Sequence, residues 1–369
     1  MGRLNIMHSE WSNGWGGQEI RILGECQGMA ARGHRVAMCG CPEGKLRQAA
    51  QAAGLTFHPL AMRGPWDLGA IVGLVRLLKK EGVQVLNTHS SVDGWVGGMA
   101  ARLAGVASVR TRHLSAKVPN HPFNFVYRLP QAVSTTGEGI RGHLIQDYGL
   151  PPERVVSIPT GVDTDLYAPA PPDEALAREL GLRPGVPVVA IVAILRSWKR
   201  HDLFLAMAQH LLDLGRDLQF LIVGGGPKEE EIRGLVSDMD LTDRVVMTGM
   251  RSDVERILPL CDVCVLASDK NEGVPQAVLQ QMAALRPVVA ADAGDVGQVV
   301  LDEQTGLLVE PGSAEALAAG VVRVLDEPEL AARLGSRGRE MVRERYSLEA
   351  MLDATEALYA GILSGRVAR

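Results

Sequence analysis

Short apolar runs recur along the whole chain, separated by stretches with a different period. In the first half the runs are "LNIMHS", "RVAMCG", "LTFHPL", "VQVLNTH", "SVRTRH" and "AVSTTG". Between them lie segments such as "LGAIVGLVRLLKKEG", whose apolar positions return every three or four residues. Strand-like runs alternating with helix-like segments predict a parallel sheet covered by helices on both faces. The second half repeats the pattern with "VPVVAIVAIL", "LQFLIVGGG", "RVVMTGM", "DVCVLAS", "RPVVAADAG" and "TGLLVEP", which predicts a second doubly wound sheet. Between the halves, around 159–187, "PTGVDTDLYAPAPPDEA" is rich in proline and acid, as a segment crossing between domains would be. Near the end, "SLEAMLDATEALYAGIL" places Leu348, Met351, Leu352, Thr355, Leu358, Tyr359 and Ile362 on one stripe of a helix, with Ser347 as its cap.

At 369 residues the chain exceeds one ordinary core. The pattern divides it into a first domain over 1–165, a second over 166–345 and a closing helix over 346–369, whose apolar stripe must pack on something, the first domain being the expected partner. A composition of 46% hydrophobic and 22% charged residues is that of a globular α/β protein, and no apolar run is long enough to span a bilayer. The first residues carry too short an apolar run for a secretory signal, so a cytoplasmic location is expected. Five cysteines fit a reducing compartment, and the Cys261 to Cys264 spacing belongs to a buried strand rather than a redox motif.

Charge changes this picture only in its distribution. The net charge is −5, but residues 1–165 hold 17 Lys+Arg against 12 Asp+Glu and the remainder 21 against 31. A basic half in an acidic protein points to an anionic partner, whether phosphorylated substrate, lipid headgroups or nucleic acid, or else to an uneven solvated surface.

Open parallel sheets bind ligands at the carboxyl ends of their strands, so the chemistry is sought in the loops there. "SNGWGGQE" follows the first strand, and its glycines either let backbone N–H groups approach an anion or simply make a tight strand-to-helix turn. "VGGGP", with Gly224 and Gly225, has the same two readings. "ILRSWKRHD" sets Arg196 and Lys199 just past the first strand of the second domain. Two cations there suit both phosphates of a nucleotide diphosphate, the guanidinium as a fork and the ammonium as a point charge. No DxD context or His/Cys cluster with ligand spacing stands out, so a reaction without metal or other cofactor is expected. In "SDKNEGVPQAVLQQMA", Pro275 suits a first helical turn, with the Gly273 and Val274 amides at the helix start. Glu272 lies just outside it, and Gln280 lies roughly 12 Å further along the helix.

Taken together, "GWGGQE", "ARGHRV", "RTRH", "IPTGVD", "LRSWK", "IVGGGP", "TGM" and "EGVPQAVLQQMA" resemble, in order and spacing, the group 1 retaining glycosyltransferases of the GT-B fold, family 4-like. The resemblance implies two Rossmann-like domains facing a central cleft, and transfer from a nucleotide-diphosphate sugar with retention of configuration and without metal. It implies that Glu272 binds donor hydroxyls, that Gly16, Gly17, Gly224, Gly225, Gly273 and Val274 meet the donor, and that Met250 and Arg251 border the base through the backbone. His113 would lie by the reacting sugar, with Arg196 and Lys199 neutralising the leaving diphosphate. Glu19, His89, Asp93 and Arg112 would fall on the acceptor side. Without the resemblance, a packed core histidine is the competing reading of His113.

Two positions depart from the family pattern. Gln280 replaces its second acid, and Thr160 replaces an asparagine. Gln280 keeps a carbonyl acceptor but loses charge-assisted strength. The expected partners are a nucleotide-sugar donor, a glycan or lipid-linked acceptor, and the anionic inner face of the cell membrane reached through Arg63, Arg76, Lys79, Lys80, Arg102 and Arg112, with no nucleic acid. The expected products belong to lipopolysaccharide, exopolysaccharide or other lipid-linked glycans. The competing readings are a catalytically inactive nucleotide-sugar or glycan-binding subunit, and a nucleotide-sugar epimerase. A dehydrogenase is disfavoured because no ribose-binding acid follows the first glycine loop at the required distance.

Overall fold

The computed structural model describes residues 2–113, 120, 124–270 and 272–365. The chain divides into two compact units. One is built from the residues up to Gly161 together with those from Leu348 onward, the other from Val162–Ser347.

The first unit contains β1 (Asn5–Glu10), β2 (Arg35–Gly40), β3 (Thr56–Pro59), β4 (Val85–Thr88), β5 (Ala107–Arg112), β6 (Ala132–Thr135) and β7 (Val155–Ser157). They form one parallel sheet in the order β3-β2-β1-β4-β5-β6-β7. The second unit contains β8 (Val188–Val192), β9 (Gln219–Val223), β10 (Val245–Met247), β11 (Val263–Leu266), β12 (Val288–Ala291) and β13 (Leu307–Val309), in the order β10-β9-β8-β11-β12-β13. This sheet is parallel too. Each sheet is therefore an α/β layer of the doubly wound type, as the alternating pattern predicts.

Alternation along the strands explains why both faces are covered. In β8 and β9, Val189, Ile191, Phe220 and Ile222 pack into one core, while Val188, Ala190, Leu221 and Val223 pack into the opposite one. Strands buried on both sides need apolar residues at every position, and these runs supply them. Cys261 and Cys264 are buried among them as core residues. The proline-rich stretch after Gly161 belongs to the second unit, where Val162, Leu176 and Leu182 enter its core.

The last helix, Leu348–Leu363, joins the first unit. Its stripe of Met351, Leu352, Leu358, Tyr359 and Ile362 packs with Ile22, Cys26 and Met29 from the helix Gly17–Ala31. The approach is close enough that a Cβ at Gly28 would run into Leu352. Arg32 adds a surface network to Glu349, Asp353 and Glu356 on the same helix.

In each sheet the strand order reverses once, between β1 and β4 and between β8 and β11. A crevice opens at the carboxyl ends of such neighbours because their connections leave in opposite directions. None of the described helices is long and apolar enough to cross a membrane.

Candidate functional site

The second unit brings two sequence-distant residues together at its reversal point. Lys199 lies in the loop after β8 and Glu272 in the loop after β11, and Lys199 Nζ donates to Glu272 Oε1 at 2.6 Å. Both side chains are largely buried, at 16% and 6% exposure. Glu272 is fixed by its own backbone. Its carbonyl accepts from the Asp295 N–H at 3.0 Å, and Gly294, at φ 61°, lies so close that a Cβ there would overlap that carbonyl.

Arg196 follows a different course. It is exposed, its guanidinium lies over the Trp198 ring at 5.2 Å, and it lines a cavity of about 340 Å³ with Arg200, His201, Lys228 and Asp269. Arg200 adopts a left-handed backbone at φ 51° and pairs with Asp202 and Asp269. Two larger hollows of about 620 Å³ in this unit lie elsewhere, one lined by Thr305 and Arg337, the other by Pro172 and Gly185. Neither is lined by the loops after β8 and β11, so size does not locate the chemistry here.

The triple-glycine loop after β9 returns to the same region. The Leu195 N–H donates to the Gly225 carbonyl and the Gly224 N–H to the Gly249 carbonyl, both at 3.1 Å. Met250 is 73% exposed beside Gly225, whereas Arg251 is committed to Asp253 and Glu179. The helix after Glu272 runs Gln276–Ala283, one residue later than the sequence predicts. Pro275, with ψ 114°, is its cap rather than part of its first turn, which puts Gly273 and Val274 outside the helix. Gln280 is half-buried on that helix.

In the first unit, Gly16 caps the helix Gly17–Ala31 and Gly17 opens it. The preceding loop is held by Glu10, a residue the sequence reading passes over. Glu10 accepts from the Ser12 N–H at 2.7 Å and from Gln18 Nε2 at 2.5 Å. Burial, reinforced by the Asp93 carboxylate, raises its pKa to about 7. Glu19 is buried near Gly16. Asp93, expected on the acceptor side, is fully buried. Its oxygens accept from the backbone N–H groups of His89 and Ser90 and from the Ser90 hydroxyl, capping the helix Ser91–Ala104. Arg112 donates to the Tyr127 hydroxyl at 2.7 Å.

His89 and His113 follow β4 and β5 and meet at 3.0 Å, Nδ1 to Nε2. His89 continues to His8 on β1, Nε2 to Nδ1, at 2.9 Å. Burial holds all three below the usual histidine range. The Arg21 and Arg110 charges add to this at His89 and His113, whereas Glu25 opposes it at His8. Neither His8 nor its neighbours Arg21 and Glu25 were legible as site residues. The one local signal is that Arg21 and Glu25 share the buried side of their helix with Ile22, Cys26 and Met29. Among the described residues, no three or more His, Cys, Asp or Glu side chains converge as metal ligands would.

Two Rossmann-like units, each with polar strand-end loops at a reversal point, define the architecture of GT-B glycosyltransferases. The family described as glycosyl transferases group 1 matches residues 172–341, and glycosyltransferase family 4 matches 15–166. The chain belongs to the group 1, family 4-like glycosyltransferases. It is 30% identical over 308 residues to the Escherichia coli UDP-Gal:alpha-D-GlcNAc-diphosphoundecaprenol alpha-1,3-galactosyltransferase, covering 79% of each chain. It is 28% identical to the alpha-D-kanosaminyltransferase of Streptomyces kanamyceticus, over 81% of this chain and 83% of that one. Among solved structures, a Rickettsia africae glycosyltransferase superposes with TM-score 0.89 at 21% identity, over 98% of this chain and 99% of that one. Anabaena HepE in complex with UDP superposes with TM-score 0.85 at 18% identity, over 97% and 100%.

Proposed function

We propose that this glycosyltransferase moves a sugar from a nucleotide-diphosphate donor to an acceptor hydroxyl, with retention of configuration and without a metal ion, in the synthesis of lipopolysaccharide, exopolysaccharide or another lipid-linked glycan. The Lys199–Glu272 pair at the reversal point of the second sheet carries this reading. A carboxylate there suits donor-sugar hydroxyls, and an ammonium beside it suits the phosphate to which that sugar is bonded. The bond from the anomeric carbon to phosphate oxygen breaks as the bond to the acceptor oxygen forms, and the departing phosphate takes the acceptor's proton. Lys199, with Arg196 on the same loop, meets negative charge that grows only as the bond breaks, which is what accelerates a reaction rather than merely binding its substrate. Relatives support the donor class: one is named for UDP-Gal as donor and a diphosphoundecaprenol acceptor, and one neighbour was solved with UDP.

A basic surface supports the acceptor class and contact with an anionic membrane. Arg63, Arg76, Lys79, Lys80 and Arg102 are exposed, and so are Trp66, Leu68 and Val72 between the first two of them in sequence. Cations beside exposed aromatic and aliphatic side chains suit a headgroup boundary. Arg112, turned to Tyr127, is left out of this surface.

The test is transfer from a panel of nucleotide sugars to polyprenyl-diphosphate glycans, with and without a chelator, and with product configuration read by NMR. Retained configuration and chelator-insensitive turnover are expected. Inversion or metal dependence would overturn those parts of the reading. Donor binding without turnover on any acceptor would favour the inactive binding subunit, for which Gln280 is the motivating feature.

A further inference from the structure

His113 is one end of three imidazoles joined in series across neighbouring strands. β1, β4 and β5 are adjacent in the sheet; His8 lies within β1, and His89 and His113 stand just past the carboxyl ends of β4 and β5. The links are His113 Nε2 to His89 Nδ1 at 3.0 Å and His89 Nε2 to His8 Nδ1 at 2.9 Å. At the inner end, His8 Nε2 is buried with no hydrogen-bond partner among the described residues and lies 3.8 Å from Glu25 Oε1.

Burial keeps each ring neutral, so each carries one N–H. One proton must lie in each link, and the N–H groups must therefore all point inward or all outward along the series. Glu25 decides between the two. Its Oε1 accepts from the Tyr359 hydroxyl at 3.0 Å, and the phenol oxygen in turn accepts from Asn87 Nδ2 at 3.0 Å. Asn87 is held by the Thr111 hydroxyl, which donates to Oδ1 at 2.9 Å. Arg21 Nε lies 3.9 Å from the other Glu25 oxygen. These contacts present Glu25 to His8 as a source of lone pairs. A bare His8 Nε2 facing them out of water is repelled, whereas an N–H is attracted.

We propose that Glu25, acting through His8 and His89, holds His113 as the Nε2–H tautomer and so leaves Nδ1 with a lone pair that accepts a hydrogen bond from a sugar hydroxyl. His8, His89 and Glu25 are then positioning residues for His113. The inference rests on the reading that His113 touches the sugar, but its tautomer is a property of the protein alone.

The experiment is a long-range proton–nitrogen NMR spectrum of the full chain with labelled imidazoles, assigned by single His→Gln variants, without any substrate. All three rings should be Nε2–H. An Nδ1–H tautomer at His113 in the unsubstituted protein would overturn the proposal. In Glu25→Gln the side-chain amide offers donors as well as an acceptor, so the series loses its direction. The His113 nitrogens should then move toward averaged shifts, and kcat should fall about tenfold, roughly the worth of one hydrogen bond, with little change in KM. A folded Glu25→Gln protein whose His113 tautomer is unchanged would remove Glu25 from the argument. If that variant fails to fold, the spectrum of the unsubstituted protein alone decides. Correct tautomers in a protein that transfers no sugar would instead overturn the transferase reading and leave the tautomer assignment standing.

Discussion

Lys199 Nζ sits 2.6 Å from Glu272 Oε1, across 73 residues of sequence and within one unit. Breaking a buried pair leaves the surviving charge unsolvated, so Lys199→Ala acts on stability as well as on chemistry. Turnover should fall by about 10²–10³, the range typical of removing one donor to developing negative charge. Lys199→Arg should recover part of it. Steady-state kinetics beside thermal melts separates the two effects, and turnover that survives Lys199→Ala undiminished would remove the charge argument.

Arg196 offers the cleaner version, because it is exposed and its guanidinium stacks on Trp198. Arg196→Ala should leave stability within about 0.5 kcal/mol of the parent. Activity should nevertheless drop by at least an order of magnitude, roughly 1.4 kcal/mol of barrier. Equal activity in the two proteins would place the guanidinium outside the reaction.

The glutamine at 280 can be tested by gain rather than loss. On the proposed reading, in which position 280 meets a ribose hydroxyl, Gln280→Glu should gain about 1 kcal/mol, or about fivefold in donor Kd. Calorimetric titration with nucleoside diphosphates reads this directly. Unchanged affinity would show that position 280 does not meet the nucleotide.

Gly294 is bound to Glu272 by space. A side chain there meets both a left-handed backbone and the Glu272 carbonyl. Gly294→Ala should cost on the order of 2 kcal/mol and displace Glu272, lowering activity further than the stability loss explains. Denaturant titration with parallel kinetics checks both effects, and a protein of parental stability and rate would refute the constraint.

Stability should fall on mild acidification. His8, His89, His113 and His201 are held below their ordinary value of 6.5 chiefly by burial, His201 at about 4 with Lys199 reinforcing the shift. A ring kept neutral in the fold takes up its proton on unfolding. Its contribution is present above 6.5 and lost as pH falls toward the folded value, by about 1 kcal/mol per ring one unit below 6.5. Glu10 has the opposite sign. Its raised value favours the fold in acid, with a contribution present below 4.5 and lost as pH rises through about 7. Melting temperatures should therefore drop between about pH 7.5 and 5.5, less steeply in His201→Leu and more steeply in Glu10→Gln. A flat profile in the parent protein would contradict the buried neutral rings.

Much of the architecture is legible because parallel strands buried on both faces must be written as apolar runs, and twelve of the described strands fall on the runs picked out in the sequence. β7 escaped because Val155–Ser157 is only three residues long and adjoins the proline-rich stretch, whose texture masks it. The cations after β8 and the acid after β11 could be named, but not their direct pairing, which depends on strand order. Asp93 serves as a capping carboxylate, a role that "HSSVDG" does not separate from acceptor binding. His8 and Glu25 were passed over because each is ordinary in its own element. They become a pair only when the helix Gly17–Ala31 is folded against β1, and the last helix then adds Tyr359 to Glu25.

That last helix sets the timetable of synthesis. The first sheet emerges from the ribosome long before its final covering does, with the whole second unit made in between. Until Tyr359 and Leu352 arrive, the face of Ile22, Gly28 and Met29 stays open to water, and nascent chains halted short of residue 348 should bind chaperones and resist compaction even though every strand of that sheet is already made.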